Sequence, residues 1–377
     1  MFHAVPGGTA LASRIGSPGP KRILSLDGGG IRGVLTLEIL ARIEALLRAS
    51  TGNPTLRLGD WFDFIGGAST GAIIASGLAL GMEVEKLLRF YCETGQKMFR
   101  RAGLVERLWY LYDSSALADE LQRVFGEETE LGSERVRTLL LLTMRNASTG
   151  STWPVWNNPH ARYNQTNRAN CNLRLPLWQL ARASAAAPVY FPAERIRVGA
   201  SKFLFQDGGV TPYNNPAFLL FLLATAEPYA VNWAATADDL LLVSVGTGGA
   251  AEARADLEVF DLDVANVLTK LPGAIIREVQ KQQDLLCRLF GECRRGMPLD
   301  RDAGDLIGAP APGGRKLFSY VRYDAELTPT GLAALGLPHV SARAIRRMDS
   351  SRHIAELRDV GRRVAETQVL LEHFTGF

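Results

Sequence analysis

Two stretches of this chain follow one pattern: a short apolar run, a glycine-rich turn, and a longer run of apolar residues. In the first, Arg22 to Leu26 reads as a strand, DGGGIRG (Asp27 to Gly33) as the turn, and Val34 to about Arg48 as a helix. Leu35, Ile39, Ile43 and Leu46 keep helical spacing, with Glu38, Arg42 and Arg48 among them as solvated charges. In the second, Trp61 to Ile65 reads as a buried strand, GASTG (Gly67 to Gly71) as the turn, and AIIASGLALG from Ala72 as a buried helix. Further strands are predicted at Thr138 to Met144, Phe203 to Phe205, Leu240 to Val245 and Lys316 to Arg322. Further helices are predicted at 83–99, 115–125, Pro176 to Ala187, 257–270, 274–290 and near 351–374, and another opens at Asn215-Pro216. Strands alternating with helices predict an α/β chain: a mostly parallel sheet covered on both faces, hence three layers.

Other segments carry less pattern. Residues 1–20 are rich in Gly, Pro and Ala and read as a disordered leader, lacking the charged start and apolar core of a secretory signal. Residues 146–172, with Trp153, Trp156, His160, Arg162, Arg168 and many Asn, read as a long loop or short ribbon near the pocket. Residues 296–315 read as a loop. Met98 to Asp113 mixes aromatic residues with Arg100, Arg101 and Arg107, which suits an aromatic helix packed on the core or a segment at a membrane interface. The 274–290 helix sets Ile275, Ile276, Val279, Leu286, Leu289 and Phe290 against Arg277, Lys281 and Arg288, and either covers the sheet or lies on a membrane. The longest apolar runs, Ala217 to Ala226 and Leu139 to Met144, fall far below the ~20 residues of a bilayer span.

Composition narrows the classes. Of 377 residues, 47% are apolar, enough for a sizeable core in one large domain or two ordinary ones. A balance of 42 basic against 39 acidic residues, net +3, is too mild for a nucleic-acid partner, and no basic arm or zinc-finger spacing supports one. It is compatible with a cytoplasmic protein in peripheral contact with anionic lipid. Cys92, Cys171, Cys287 and Cys293 are the only cysteines; Cys92 reads as a buried free thiol, and the spacing of Cys287 and Cys293 suits neither a zinc knuckle nor a redox pair. No metal-binding pattern occurs, so neither metal nor cofactor is expected.

The candidate chemistry sits in the turns. Gly67-Ala68-Ser69-Thr70-Gly71, which alone could be an ordinary glycine-rich turn, reads as a nucleophile elbow because a strand precedes it and a helix follows, with Ser69 at the helix N-terminus. None of the five histidines lies at an apolar strand end, so another base is sought. Asp207 is delivered by Phe203 to Phe205 to a Gly208-Gly209 turn, and a desolvated carboxylate can serve as base. Gly28, Gly29 and Gly30 expose backbone N–H groups at a helix start, an anion nest beside the fixed charge of Arg32.

DGGGIRG, GASTG and DGG in that order resemble the patatin-like phospholipase family, as do ARASAAAPVYFPA (Ala181 to Ala193), NNPA and LLVSVGTG (Leu241 to Gly248). The resemblance covers roughly residues 21–250. It implies a three-layer α/β/α patatin-like fold, with 251–377 as a mostly helical C-terminal extension packed on the same domain. It implies that Ser69 is the nucleophile and Asp207 the base, and that Gly28, Gly29, Gly30 and Arg32 form the oxyanion hole, with Gly67, Gly71, Gly208 and Gly209 as motif glycines. The substrate it implies is a phospholipid or other acyl ester.

Other readings remain at this stage. GGGIRG also satisfies a dinucleotide fingerprint, but ASTGNPT at residues 49–55 lacks the acidic residue that fingerprint needs. A catalytically dead scaffold is opposed by the intact Ser69 and Asp207. A non-lipid esterase or thioesterase, or an effector activated by a small ligand or partner, would keep the same chemistry. Neither acyl preference nor oligomeric state is readable.

Overall fold

The computed structural model describes residues 8–103, 106, 110–249, 264–300 and 302–377, with the backbone alone at 8–10 and 264–272. Its strands are β1 (Lys21–Leu26), β2 (Phe64–Ala68), β3 (Leu139–Asn146), β4 (Ser151–Trp156), β5 (Glu194–Val198), β6 (Ser201–Asp207), β7 (Leu240–Val245), β8 (Glu292–Arg295) and β9 (Ser319–Tyr323). They form one sheet in the order β5-β6-β3-β2-β1-β7-β9-β8, with β4 also paired to β3. Six strands, β3-β2-β1-β7-β9-β8, run parallel, and β4, β5 and β6 add the antiparallel pairings.

The central strands are apolar throughout because both faces are covered. Successive side chains point to opposite faces, so each strand feeds two cores. On one face Leu24, Leu26, Ile65, Leu140, Leu142, Val243 and Val245 share a core with helices α2 (Gly33–Thr51), α4 (Thr70–Ala79), α5 (Val84–Met98), α6 (Ser115–Phe125), α7 (Leu177–Ser184) and α12 (Ile354–Gln368). On the other, Ile23, Phe64, Leu139, Leu141, Leu240 and Leu242 pack against α1 (Gly8–Ile15), α8 (Ala217–Thr225) and the end of α9 (Val264–Phe290). Three short helices complete the set: α3 (Leu58–Trp61), α10 (Pro329–Ala334) and α11 (Ala342–Ile345). The expected three-layer α/β architecture is present.

Several local expectations change. Residues 8–15 are helical rather than disordered: Leu11 and Ile15 are buried, Trp233 Nε1 donates to Ile15 O at 2.9 Å, and Arg14 donates to the carbonyls of Asp60 and Phe62. Glycine-rich composition hid two apolar residues at helical spacing. The expected strand at Trp61 to Ile65 begins only at Phe64, because Trp61 closes α3 and stacks edge-on against Phe62 and Phe374. The two helices expected at 257–270 and 274–290 are one, running Val264–Phe290; part of the predicted first helix, 257–263, lies outside the described residues. The same holds for Leu104, Val105, Arg107, Leu108 and Trp109 of the aromatic segment, whose described ends pair antiparallel at Arg101 and Tyr112. Phe99 and Tyr112 pack there on Phe191.

The C-terminal extension is built into the sheet rather than only laid on it. β9 pairs with β7 along its whole length and β8 continues the sheet, while α12 packs along α2. The basic amphipathic helix α9 covers the sheet: Gln283, Asp284, Cys287 and Arg288 are buried, and Arg288 and Asp284 form a two-bond ion pair.

Candidate active site

Ser69 occupies the one residue between the end of β2 and the start of α4, at φ 55° and ψ −124°. A non-glycine residue there is strained, and such strain persists only where the surroundings enforce it. Close approach enforces it here. A Cβ on Gly67 would collide with the Gly71 carbonyl, and one on Gly71 with Leu26 O, so both motif glycines are required by contact. The turn is held from outside by Ser184 on α7. The Ser69 N–H donates to Ser184 Oγ at 2.9 Å, and that hydroxyl donates to Thr143 O at 2.7 Å.

Asp207 reaches Ser69 through sheet register. β4 occupies one edge of β3 over Leu141 to Asn146, so β2 and β6 must share the other edge. Along that edge Ala68 stands opposite Thr143 and Asp207 opposite Met144, the next position. Two strands therefore converge end to end, and the residue after Ala68 meets the last residue of β6. Ser69 Oγ donates to Asp207 Oδ2 at 2.7 Å, across 138 residues of sequence. Asp207 Oδ1 accepts from Gly209 N–H at 2.6 Å, and Asp207 N–H donates to Ala186 O at 2.9 Å.

The carboxyl of Asp207 is 4% exposed. Burial pushes its pKa up to about 6, against the opposing pull of the Ser69 hydroxyl, the Gly209 N–H and the Arg182 guanidinium. The group is thus mostly ionised at neutral pH and more basic than an ordinary aspartate, the condition for drawing a proton from a hydroxyl. Arg182, from α7, is itself buried, donates from Nη2 to Pro192 O at 3.0 Å and lies over the Phe191 ring. Two histidines pair elsewhere: His373 Nδ1 with Tyr323 at 2.7 Å, His353 Nδ1 with Glu356 at 3.0 Å.

The glycine loop closes the third side. A Cβ on Gly28 would stand 3.1 Å from Ser69 Cβ, so the loop abuts the serine. The Gly28 N–H donates to Asn214 O at 3.0 Å and the Ile31 N–H to Met348 O at 2.9 Å. Gly28 is therefore no free donor, contrary to expectation; among the described residues the N–H groups of Gly29 and Gly30 remain untaken. Arg32 was expected either to stabilise negative charge directly or to brace the glycine loop through a carboxylate; it holds the loop through backbone carbonyls instead, Nε to Gly29 O at 3.2 Å and Nη1 to Gly248 O at 2.8 Å.

Residues that motif reading passed over complete the frame. Asp27, first residue of the loop, is gripped by Arg322 of β9: Nη1 to Oδ1 at 2.9 Å and Nη2 to Oδ2 at 2.6 Å. Arg322 also donates to Ser244 Oγ at 2.7 Å and Asp324 Oδ2 at 2.6 Å, and Gln280 of α9 donates to Asp27 Oδ2 at 3.2 Å. Burial raises the Asp27 pKa against the pull of that guanidinium. Ser184 lay inside the signature-like run Ala181 to Ala193, and Asn214 in the NNPA run; Arg322 had only one signal, a charge inside an apolar strand. Among the described residues no group of His, Cys, Asp and Glu could hold a metal ion, and no helix is long and apolar enough to cross a membrane.

A family model described as patatin-like phospholipase matches residues 24–221, just over half of the chain. Patatin-17 of Solanum cardiophyllum is 30% identical over 248 residues, covering 61% of this chain and 61% of that protein. A cGAMP-activated phospholipase of Vibrio cholerae is 35% identical over 245 residues, covering 60% of this chain and 64% of that protein. The matched region thus spans less than two thirds of these relatives. The crystal structure of VipD from Legionella pneumophila aligns with 91% of this chain and 67% of its own, at TM-score 0.35 and 14% identity. By its family match, carried on the segment that holds the glycine loop, Ser69 and Asp207, the chain belongs to the patatin-like phospholipases.

Proposed function

We propose that this protein is a lipid acyl hydrolase that cleaves acyl esters of glycerophospholipids through a covalent acyl-Ser69. The observation that carries the reading is the 2.7 Å hydrogen bond from the Ser69 hydroxyl to a buried, raised-pKa carboxylate. Ser69 Oγ attacks the ester carbonyl while Asp207 takes its proton. The oxyanion of the tetrahedral intermediate is received by the N–H groups of Gly29 and Gly30, fixed dipoles at the start of α2. The C–O bond to the glycerol breaks as Asp207 returns the proton to the leaving alcohol. Water, deprotonated by Asp207, then attacks the acyl carbon, and Ser69 leaves with the proton. Arg32 acts through the carbonyl it holds. Residues 21–250 form the catalytic core, with 251–377 completing the sheet.

Lipid is favoured over a soluble ester by the family and by the apolar elements flanking the serine, α4 and the run from Ala183 to Phe191. The test is incubation with phospholipid vesicles followed by mass spectrometry of released acids. Wild type should release fatty acid and Ser69→Ala none. The reading fails if Ser69→Ala works at the wild-type rate, or if a fluorophosphonate probe labels another residue. A second reading keeps this chemistry but makes it conditional, since a relative is named as a cGAMP-activated phospholipase. The same assay with and without cGAMP separates the two: basal turnover unchanged by the nucleotide excludes that form of control.

A further inference from the structure

We propose that Thr247, together with Gly248, is a positioning residue that sets the two peptide planes presenting the Gly29 and Gly30 N–H groups to the oxyanion. This rests on the acyl-transfer reading above. In a planar trans peptide the C=O and the N–H point in opposite directions, so a hydrogen bond that fixes one aims the other. Thr247 Oγ1 donates to Gly28 O at 3.0 Å in a buried contact. The N–H of that same peptide belongs to Gly29, which is thereby turned away from Thr247.

The next peptide is fixed from the adjacent residue. Gly29 O accepts from Arg32 Nε at 3.2 Å as well as from the Arg32 N–H at 3.4 Å, and the same guanidinium donates through Nη1 to Gly248 O at 2.8 Å. The N–H of this second peptide is that of Gly30. One dipeptide just past the end of β7 thus acts on both planes: Thr247 by its side chain on the first, and Gly248 by its carbonyl on the second, where it anchors the guanidinium that reinforces the local Arg32 N–H bond. The dipeptide is itself anchored, because Gly248 N–H donates to Asp324 Oδ1 at 2.9 Å and β7 lies between β1 and β9. The contact is also tight, since any Cβ on Gly29 would run into the Thr247 side chain. Thr247 is 2% exposed, so bulk solvent does not compete for its hydroxyl. Without it, Gly28 O would be buried and unpaired, and the peptide could rotate to find another donor.

The variants Thr247→Val and Thr247→Ser separate aiming from packing. Valine keeps the shape and removes the donor; serine keeps the donor and loses a methyl group. Thr247→Val should lower kcat by about 10- to 100-fold with KM within about twofold, because the hole acts on the transition state more than on bound ester. Thr247→Ser should recover most of the rate. Thermal unfolding of each variant checks the fold, and Thr247→Ala replaces the valine variant if that one does not fold. The inference is overturned if Thr247→Val turns over like wild type, or if Thr247→Ser is as impaired as Thr247→Val. A Ser69→Ala control run beside them separates the two levels. If it still hydrolyses ester, the acyl-enzyme reading fails, and the positioning role with it. If it is dead while Thr247→Val is fully active, the positioning role alone fails.

Discussion

Ala68 and Asp207 end two different strands at neighbouring positions on one edge of β3, opposite Thr143 and Met144 respectively. The serine that follows Ala68 therefore meets the carboxylate through strand pairing, with no long loop between them. A site held by sheet register keeps its geometry better than one held by flexible segments, which suits a two-residue proton relay.

The first prediction concerns the pH profile. Asp207 must be ionised to accept the Ser69 proton, and burial raises its pKa to about 6. On the proposed mechanism kcat/KM should be level above about pH 7 and fall tenfold per pH unit below about 6. A profile with its acid limb near 4, the ordinary carboxylate value, would contradict a raised pKa at the catalytic base.

The same burial has a stability consequence. Folding favours the protonated form of Asp207, so between about pH 4 and 6 the folded state binds more protons than the unfolded chain. Stability therefore drops as pH rises through that window, and at pH 7 the buried charge weighs fully against the fold. Asp207→Asn should abolish turnover yet raise the unfolding free energy at pH 7, by about 1–3 kcal/mol. The gain should vanish near pH 4. Urea unfolding at the two pH values checks it, and a variant no more stable than wild type at pH 7 contradicts it.

Ser184 is expected to matter without touching substrate. Its hydroxyl accepts from Ser69 N–H and donates to Thr143 O, so Ser184→Ala leaves both groups unpaired at a strained turn. Unfolding free energy should decrease by about 1–3 kcal/mol. The kcat should also fall, because Ser69 loses the bond that fixes its backbone. Normal kcat in a folded Ser184→Ala variant would mean that packing alone holds the elbow.

Arg322 ties the C-terminal part of the sheet to the glycine loop. Arg322→Met strands the buried Asp27 carboxylate and should destabilise by about 3–5 kcal/mol. The double variant Arg322→Met/Asp27→Asn should recover part of that loss, since the buried Asp27 charge is then gone and only Asp324 still lacks the guanidinium. If the double variant is worse than the sum of the two singles in denaturant unfolding, the pair is not the source of the loss.

The order of residues by itself determined what is local. Apolar runs of strand and helix length, each broken by a glycine turn, marked β1–α2 and β2–α4, because periodicity and turn chemistry act within a few residues. The candidate chemistry at Ser69, Asp207 and the Gly28–Gly30 loop was legible for the same reason: each sits in a short motif. What spans the chain was decided only by the tertiary structure. The register that joins Asp207 to Ser69, the use of the Gly28 N–H by Asn214, and the grip of Arg322 on Asp27 all depend on partners far away in sequence. A polar group reveals its partner only after burial removes water as the alternative, and which residues are buried together is set by strand order, which no local pattern encodes.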